Sequence, residues 1–210
     1  MHRFREPVSG FTHLAGALLG IVGLAWLVVL TWQEPAKMLS MIVYGVSLVL
    51  LYSASAALHL IDGSPRTFLW LKRFDHAAIY ALIAGSYTPL CYNLLTGGWR
   101  WGLLGAVWAL AVVGIVFKLF FLREAGHLST LAYVGLGSLA VFGLPRWLHL
   151  APPGALWLLI GGGALYLIGA FIFSIEKPNL HPHFGFHEIW HLFVLGGSAL
   201  HFAAVLIYAT

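Results

Sequence analysis

The stretch His187-Glu188-Ile189-Trp190-His191 opens the last hydrophobic segment of the chain, which then runs apolar from Leu192 to Tyr208. On a helix, residues four positions apart lie on the same face, so His187 and His191 project side by side. Two such imidazoles can hold one metal ion, and burying them in a membrane-spanning segment is costly without something to bind. The alternative is that both lie at the level of the lipid headgroups. The pair indicates a metal site if other helices bring further ligands to this depth.

The composition defines the class of protein. Of the 210 residues, 60% are hydrophobic and 9% are charged, and the mean hydropathy is +0.89, which no ordinary soluble domain approaches. We therefore expect an integral membrane protein. Cys91 is the single cysteine, so no internal disulfide can form and the fold must hold by helix packing. The small net charge of +4 is spread over loops, which indicates orientation in the membrane rather than a nucleic-acid surface.

Hydrophobic segments long enough to cross a bilayer recur along the whole chain. A spanning helix needs roughly 20 mostly apolar residues. Seven segments meet this requirement, at about 11–32, 39–61, 74–95, 99–121, 128–147, 154–175 and 187–208. The breaks between them carry turn residues and charge and are too short for a soluble domain. The sequence predicts an all-α integral membrane protein, a seven-transmembrane helix bundle that forms a single domain over residues 1–210.

The distribution of positive charge predicts the orientation of this bundle. Cytoplasmic loops of membrane proteins carry an excess of Lys and Arg. The amino terminus and the even-numbered loops hold eight such residues, and the odd-numbered loops hold three. The eight are Arg3, Arg5, Arg66, Lys72, Arg73, Lys118, Arg123 and Lys177. We therefore expect the amino terminus in the cytoplasm and the carboxyl terminus outside.

Polar side chains from three predicted helices fall at one depth, near the cytoplasmic face. His59 lies near the end of the second helix, and Ser55 lies one turn deeper on the same side. Asp75 lies in the first turn of the third helix, and His187 and His191 lie at the start of the seventh. We expect these five side chains to meet in one layer.

The residue types in this layer are those of a catalytic metal site. Three neutral imidazoles with one open position form the usual ligand set of a catalytic Zn²⁺, so we predict that His59, His187 and His191 bind zinc. Cu, Fe and Ni also suit histidine nitrogen, but zinc is the default without a thiolate or a further carboxylate. Asp75 is a candidate to orient water and accept its proton, and Ser55 to donate to a developing oxyanion. The alternatives are that Asp75 caps the third helix and that Ser55 bonds its own backbone.

The remaining polar residues differ in their distance from this layer. His201 is about 15 Å beyond His191 at about 1.5 Å per residue, too far to share the ion. His13 is at the right depth for a supporting contact, with an interfacial position as the alternative. Glu188 is expected to pair with a Lys or Arg at the membrane surface, and Glu6 has no assigned role.

Small residues mark expected contacts between helices. Gly16 and Gly20 have the GxxxG spacing, and Gly161 to Gly163 leave a bare patch. Both patterns suit close packing of helices in a membrane. We therefore predict helix–helix contacts at both places.

Four stretches together resemble one family. They are EPVSGFTHLAG (6–16), YSASAALH (52–59), FDHAAIYALIAGSYTP (74–89) and FHEIWHLFVLGGSALHF (186–202). They resemble the bacterial hemolysin III proteins, which are related to the progestin and adipoQ receptors within a superfamily that includes alkaline ceramidases. The resemblance implies a seven-helix bundle in the bacterial inner (plasma) membrane, with a cytoplasmic amino terminus and a zinc site on that side. It also implies that His59, His187 and His191 bind the zinc, with Asp75 and Ser55 at its water.

Three functions remain open, each with a membrane lipid as the expected substrate or ligand. The first is a zinc-dependent hydrolase of a lipid amide or ester, because the open three-histidine site lies at headgroup depth. The second is a receptor or sensor in which zinc is structural, and the third is a hemolysin-like cytolytic or pore-forming protein. A retinal protein is excluded because the last helix contains no lysine, and the charge bias is opposite to that of a G-protein-coupled receptor.

Overall fold

The computed structural model describes residues 4–121, 127–182 and 184–210. Within these ranges the chain forms eight α-helices and one 3₁₀ helix, with a single isolated β-bridge between His181 and Phe184. The helices are α1 (Pro7–Thr31), α2 (Pro35–Leu60), α3 (Pro65–Leu94), α4 (Gly97–Phe120), α5 (His127–Gly137), the 3₁₀ helix (Ser138–Gly143), α6 (Leu144–Leu150), α7 (Pro153–Ile175) and α8 (Phe186–Tyr208). The predicted all-α class is confirmed. Arg3 and Arg123 of the charge count lie outside the described residues.

In the described part of the chain, six helical segments are long and apolar enough to cross a bilayer. They are α1, α2, α4, α7, α8 and the continuous stretch Leu128–Leu150, which joins α5, the 3₁₀ helix and α6. These segments correspond to six of the seven predicted ones, which is consistent with a multi-pass membrane protein. Helix α3 has 30 residues but a more polar sequence, and its crossing of the membrane stays a prediction.

Helix α3 begins at Pro65, well before the predicted start at residue 74. The Ser64 hydroxyl accepts a hydrogen bond from the Thr67 N–H at 3.2 Å, and proline at the first helical position favours a helix start. The basic residues in this first part interrupt the apolar run, so hydropathy alone does not reveal that the helix starts here. Asp75 therefore lies inside α3 rather than in its first turn. The predicted position of Asp75 in the first turn of this helix was wrong, and so was the alternative that Asp75 caps the helix.

The fifth predicted helix, 128–147, is interrupted. The 3₁₀ helix Ser138–Gly143 separates α5 from α6, and Tyr87 of α3 inserts at the junction. The Tyr87 hydroxyl donates to the Gly137 carbonyl at 2.5 Å and accepts from the Ala140 N–H at 2.8 Å. Irregular backbone is tolerated at membrane depth where protein groups satisfy it. Tyr87 supplies those partners here.

Helices that follow one another pack together, and the last helix returns to the first. Helix α1 packs on α2, α2 on α3, α3 on α4, and α7 on α8, while α8 also contacts α1 and α3. The apolar core lies between these helices and includes Tyr44, Leu48 and Cys91. This arrangement brings the starts of α1 and α8 to the end of α2, where the sequence predicted the polar layer.

Gly16 confirms the predicted glycine contact on α1. A Cβ atom at Gly16 would lie 2.8 Å from Leu195 of α8 and 3.1 Å from the Tyr52 ring of α2, so glycine lets three helices approach. A Cβ atom at Gly20 would meet Val49 at 3.4 Å, which is an ordinary contact. Of the two glycines in the GxxxG pair, it is therefore Gly16 at which the neighbouring helices approach most closely.

Within the glycine patch of α7, alanine is expected to have opposite effects on stability at two neighbouring positions. A Cβ atom at Gly162 would lie 2.3 Å from the His201 ring and 3.0 Å from the Gly197 carbonyl, whereas one at Gly163 would meet nothing within 4 Å. We expect Gly162→Ala to destabilise the protein by about 1–3 kcal/mol through overpacking. Gly163→Ala is expected to stabilise it by up to about 1 kcal/mol through helix propensity. Thermal unfolding in one detergent measures both, and equal shifts of the two variants would contradict the contact.

Candidate metal centre

Three histidine rings converge where the end of α2 meets the start of α8. Nε2 of His191 lies 3.2 Å from Nε2 of His187, which lies 3.5 Å from Nε2 of His59. One ring nitrogen from each residue lies within 4.8 Å of the other two. His59 and His191 are buried and His187 is half-buried. The structure therefore brings together the three histidines that the sequence singled out, in a cluster that can hold a metal ion.

Two of the three separations between these nitrogens match those of a tetrahedral metal site. With metal–nitrogen bonds of about 2.0–2.1 Å, two ligand nitrogens of a tetrahedral site are about 3.3–3.4 Å apart. The two observed separations, 3.2 and 3.5 Å, lie on either side of this value. Imidazole nitrogen is a ligand that zinc and other late first-row metals accept. The residues present therefore suit such an ion.

A carboxylate supports His59 from the side away from the cluster. Nδ1 of His59 donates a hydrogen bond to the Glu6 carboxylate, and the Glu6 N–H donates to the His59 carbonyl at 3.0 Å. The hydrogen bond from His59 lowers the pKa of the Glu6 carboxyl. Since an ionised carboxylate can only accept, Nδ1 carries a proton, and in the neutral ring the lone pair lies on Nε2, facing the other histidines. Metal-binding histidines commonly have such a carboxylate partner.

Ser55 and Asp75 lie beside the histidines, as the sequence predicted. Ser55 is buried, and its hydroxyl oxygen lies 2.8 Å from Nδ1 of His13. Asp75 is also buried, and its carboxyl group interacts with the Ser55 hydroxyl and, electrostatically, with His59. Helices α2 and α3 thus contribute a hydroxyl and a carboxyl group to one position next to the cluster. Their part in any reaction stays a prediction.

His13 and His201 differ in their relation to the site. His13 is 3% exposed and its ring stacks on that of His191, with centroids 3.8 Å apart, so the predicted supporting contact is confirmed. His201 lies apart from the cluster, with Nε2 3.2 Å from the Leu159 carbonyl oxygen. The prediction that His201 does not share the ion with His191 is consistent with this placement.

Glu188 has a different role from the predicted one. Its carboxylate accepts hydrogen bonds from the Ser9 hydroxyl at 3.0 Å and from the Gly185 N–H at 2.8 Å. The second bond satisfies a free N–H at the start of α8. The predicted pairing with Lys or Arg was wrong, because this carboxylate caps α8 and joins it to α1. It thereby fixes the start of the helix that carries His187.

Sequence reasoning pointed to His13 of the first helix but missed the roles of Glu6 and Ser9. Glu6, Ser9 and His13 are three and four residues apart, so they lie on one face of the start of α1. All three contact residues of the site. This spacing of polar residues in an otherwise apolar segment was the available signal.

Fold and site together define a class of protein. It is an all-helical membrane protein with a cluster of three histidines, two buried and one half-buried, where the second and last helices meet beside the first. The family model described as Haemolysin-III related matches residues 1–202. The chain belongs to this family, which confirms the resemblance found in the four sequence stretches.

Three relatives show how far the similarity extends. The chain is 41% identical to Hemolysin-3 of Bacillus cereus over 206 residues, which cover 97% of this chain and 91% of that protein. It is 40% identical to the Hemolysin-3 homolog of Bacillus subtilis (strain 168) over 206 residues, which cover 97% of this chain and 93% of that protein. It is 25% identical to the human Monocyte to macrophage differentiation factor over 220 residues, which cover 98% of this chain and 84% of that protein. The similarity thus extends over nearly the whole chain.

Proposed function

We propose that this protein is a zinc-dependent membrane hydrolase that cleaves an amide or ester bond in a lipid. The observation that carries the proposal is the convergence of three histidine nitrogens beside a buried carboxyl group and a buried hydroxyl group. Three protein ligands leave one coordination position open, as in catalytic zinc sites, whereas structural sites are closed by four. Asp75 and Ser55 next to that position supply the groups that hydrolysis needs.

The proposed topology puts this site at the level of the lipid headgroups. In the proposal α3 is the seventh span, since its 30 residues extend about 45 Å and it packs between the apolar helices α2 and α4. The amino terminus then lies in the cytoplasm, as the charge bias predicts. Residues 1–210 form one seven-helix domain in the bacterial inner (plasma) membrane. The end of α2 and the start of α8 then lie near the cytoplasmic face, where a scissile bond close to a headgroup would be.

Each residue of the site has a distinct part in the proposed reaction. A Zn²⁺ ion held by His59, His187 and His191 would supply Lewis acidity toward a carbonyl oxygen and water. Asp75 accepts the proton of the attacking water and returns it to the departing amine or alcohol. Ser55 donates a hydrogen bond to the oxygen that gains negative charge. Because both side chains are buried, these interactions are stronger than they would be in bulk water.

Turnover of defined lipids tests this proposal. Purified protein is reconstituted into liposomes that carry acyl-amide lipids, such as a ceramide, or acyl-ester glycerophospholipids, and released fatty acid is measured by mass spectrometry. We expect release that stops when a chelator removes the metal and resumes when Zn²⁺ is added. Protein that retains its metal but releases no fatty acid from either class would contradict the hydrolase.

The name of the Bacillus cereus relative, Hemolysin-3, favours cytolysis as a second candidate function. The same liposomes loaded with a fluorescent dye separate the two functions. Dye release without fatty-acid release would support a pore. Dye release that follows fatty-acid release, and that stops with the chelator, would support lysis as a consequence of hydrolysis.

A further inference from the structure

The start of α1 contacts His59 and two residues next to the three-histidine cluster, Glu188 and Ser55. Glu6, Ser9 and His13 share one face of the helix start, as their spacing requires. Their hydrogen-bond partners are, in the same order, His59, Glu188 and Ser55. One helix face without a metal ligand of its own therefore contacts α2 and α8, which carry the cluster.

Glu6 makes the most specific of these contacts. It bonds His59 twice, through its carboxylate to the ring Nδ1 and through its N–H to the main-chain carbonyl at 3.0 Å. Its second carboxylate oxygen lies 3.7 Å from the Arg5 guanidinium. The two bonds to one residue hold the imidazole ring against the first residues of α1.

The Glu6 bond determines which ring atom of His59 faces the cluster. With its Nδ1 proton directed at the carboxylate, His59 presents the Nε2 lone pair toward Nε2 of His187, 3.5 Å away. A ring without this partner can rotate or carry its proton on Nε2, and neither state presents a lone pair to an ion. We infer that Glu6 is a positioning residue for metal binding, whose carboxylate keeps His59 ready to coordinate and so determines how tightly the site holds its ion.

The packing of α1 does not depend on the Glu6 carboxylate. The Glu6 side chain is 42% exposed, whereas the contact of α1 with its neighbours is buried and apolar around Gly16 and Tyr52. Loss of the carboxylate is therefore expected to leave the helices in place. A positioning role and a merely structural role then predict different measurements.

The test compares Glu6→Gln with Glu34→Gln in full-length protein. Glu34 is exposed at the other end of α1 and pairs with Lys37 at 3.0 Å, so it serves as a matched control. Metal is removed, and the Zn²⁺ affinity is measured by competition with a chromophoric chelator. We expect Glu6→Gln to bind Zn²⁺ about 10–100-fold more weakly than wild type, as for other partners of metal ligands, and Glu34→Gln to bind as wild type does. The visible absorption of bound Co²⁺ should also change in Glu6→Gln, since it reports the arrangement of the ligands.

Each outcome decides the inference, which rests on the proposed metal site but not on the hydrolase reaction. A weaker affinity with unchanged thermal unfolding of the metal-free protein supports it. Wild-type affinity and an unchanged Co²⁺ spectrum in Glu6→Gln would overturn it, and so would lower stability of the metal-free variant with unchanged affinity. If wild-type protein binds no Zn²⁺, the proposed metal site and this inference fail together. Equal Zn²⁺ affinities of the wild type and Glu6→Gln overturn the inference alone.

Discussion

Alanine in place of His59, His187 or His191 is expected to reduce the bound metal from about one ion per chain to less than about a tenth. Each histidine supplies one of three nitrogens that converge in the cluster. Two remaining ligands cannot hold an ion against a chelator during purification. Elemental analysis of the purified wild type and the three variants measures the effect.

His201→Ala is the matched control for these variants. His201 lies on the same helix as His187 and His191, but its Nε2 lies 3.2 Å from the Leu159 carbonyl oxygen rather than at the cluster. This variant is expected to keep its metal. A folded variant of one of the three clustered histidines that retains stoichiometric metal would show that its ring is not a ligand.

Asp75→Asn is expected to retain the metal but to lower lipid turnover by about 10²–10⁴-fold, the usual contribution of a general base. Asparagine has nearly the same size and can still contact Ser55, but its amide cannot accept the proton of water. Release of fatty acid from the lipid that the wild type cleaves fastest measures the effect. Metal content and thermal unfolding are measured on the same samples.

Asp62→Asn provides the control for the loss of a carboxylate. Asp62 is exposed between α2 and α3, so we expect turnover equal to that of the wild type. Full turnover in Asp75→Asn would remove the proposed role of Asp75. Unchanged metal content together with an unchanged cellular phenotype in Asp75→Asn would favour the receptor or sensor with structural zinc.

The histidine cluster could be predicted because it follows from helix geometry. His187 and His191 lie one turn apart on one helix, and His59 lies near the end of another, so their depth follows from where the apolar segments begin and end. Their three nitrogens meet within 4.8 Å in the structure. Counting residues along predicted helices was enough to place them in one layer.

The supporting contacts could not be predicted because they depend on how helices pack. The spacing of polar residues at the start of α1 indicates a polar helix face, but it does not identify His59 as the partner of Glu6 or Ser9 as that of Glu188. Each of these bonds joins residues far apart in the chain. The start of α3 was missed for another reason. Basic residues interrupt the apolar run in the first part of α3, so a method based on apolar runs places the helix start too late.

The most direct test of the metal site is zinc K-edge X-ray absorption together with the zinc content of the purified wild-type protein. The geometry predicts about one zinc per chain, with three histidine nitrogens at about 2.0 Å and one further light-atom ligand. Folded wild-type protein without stoichiometric metal after growth and purification with zinc present would contradict the proposed site. A sulfur ligand or a fourth histidine in the spectrum would contradict the open three-histidine arrangement.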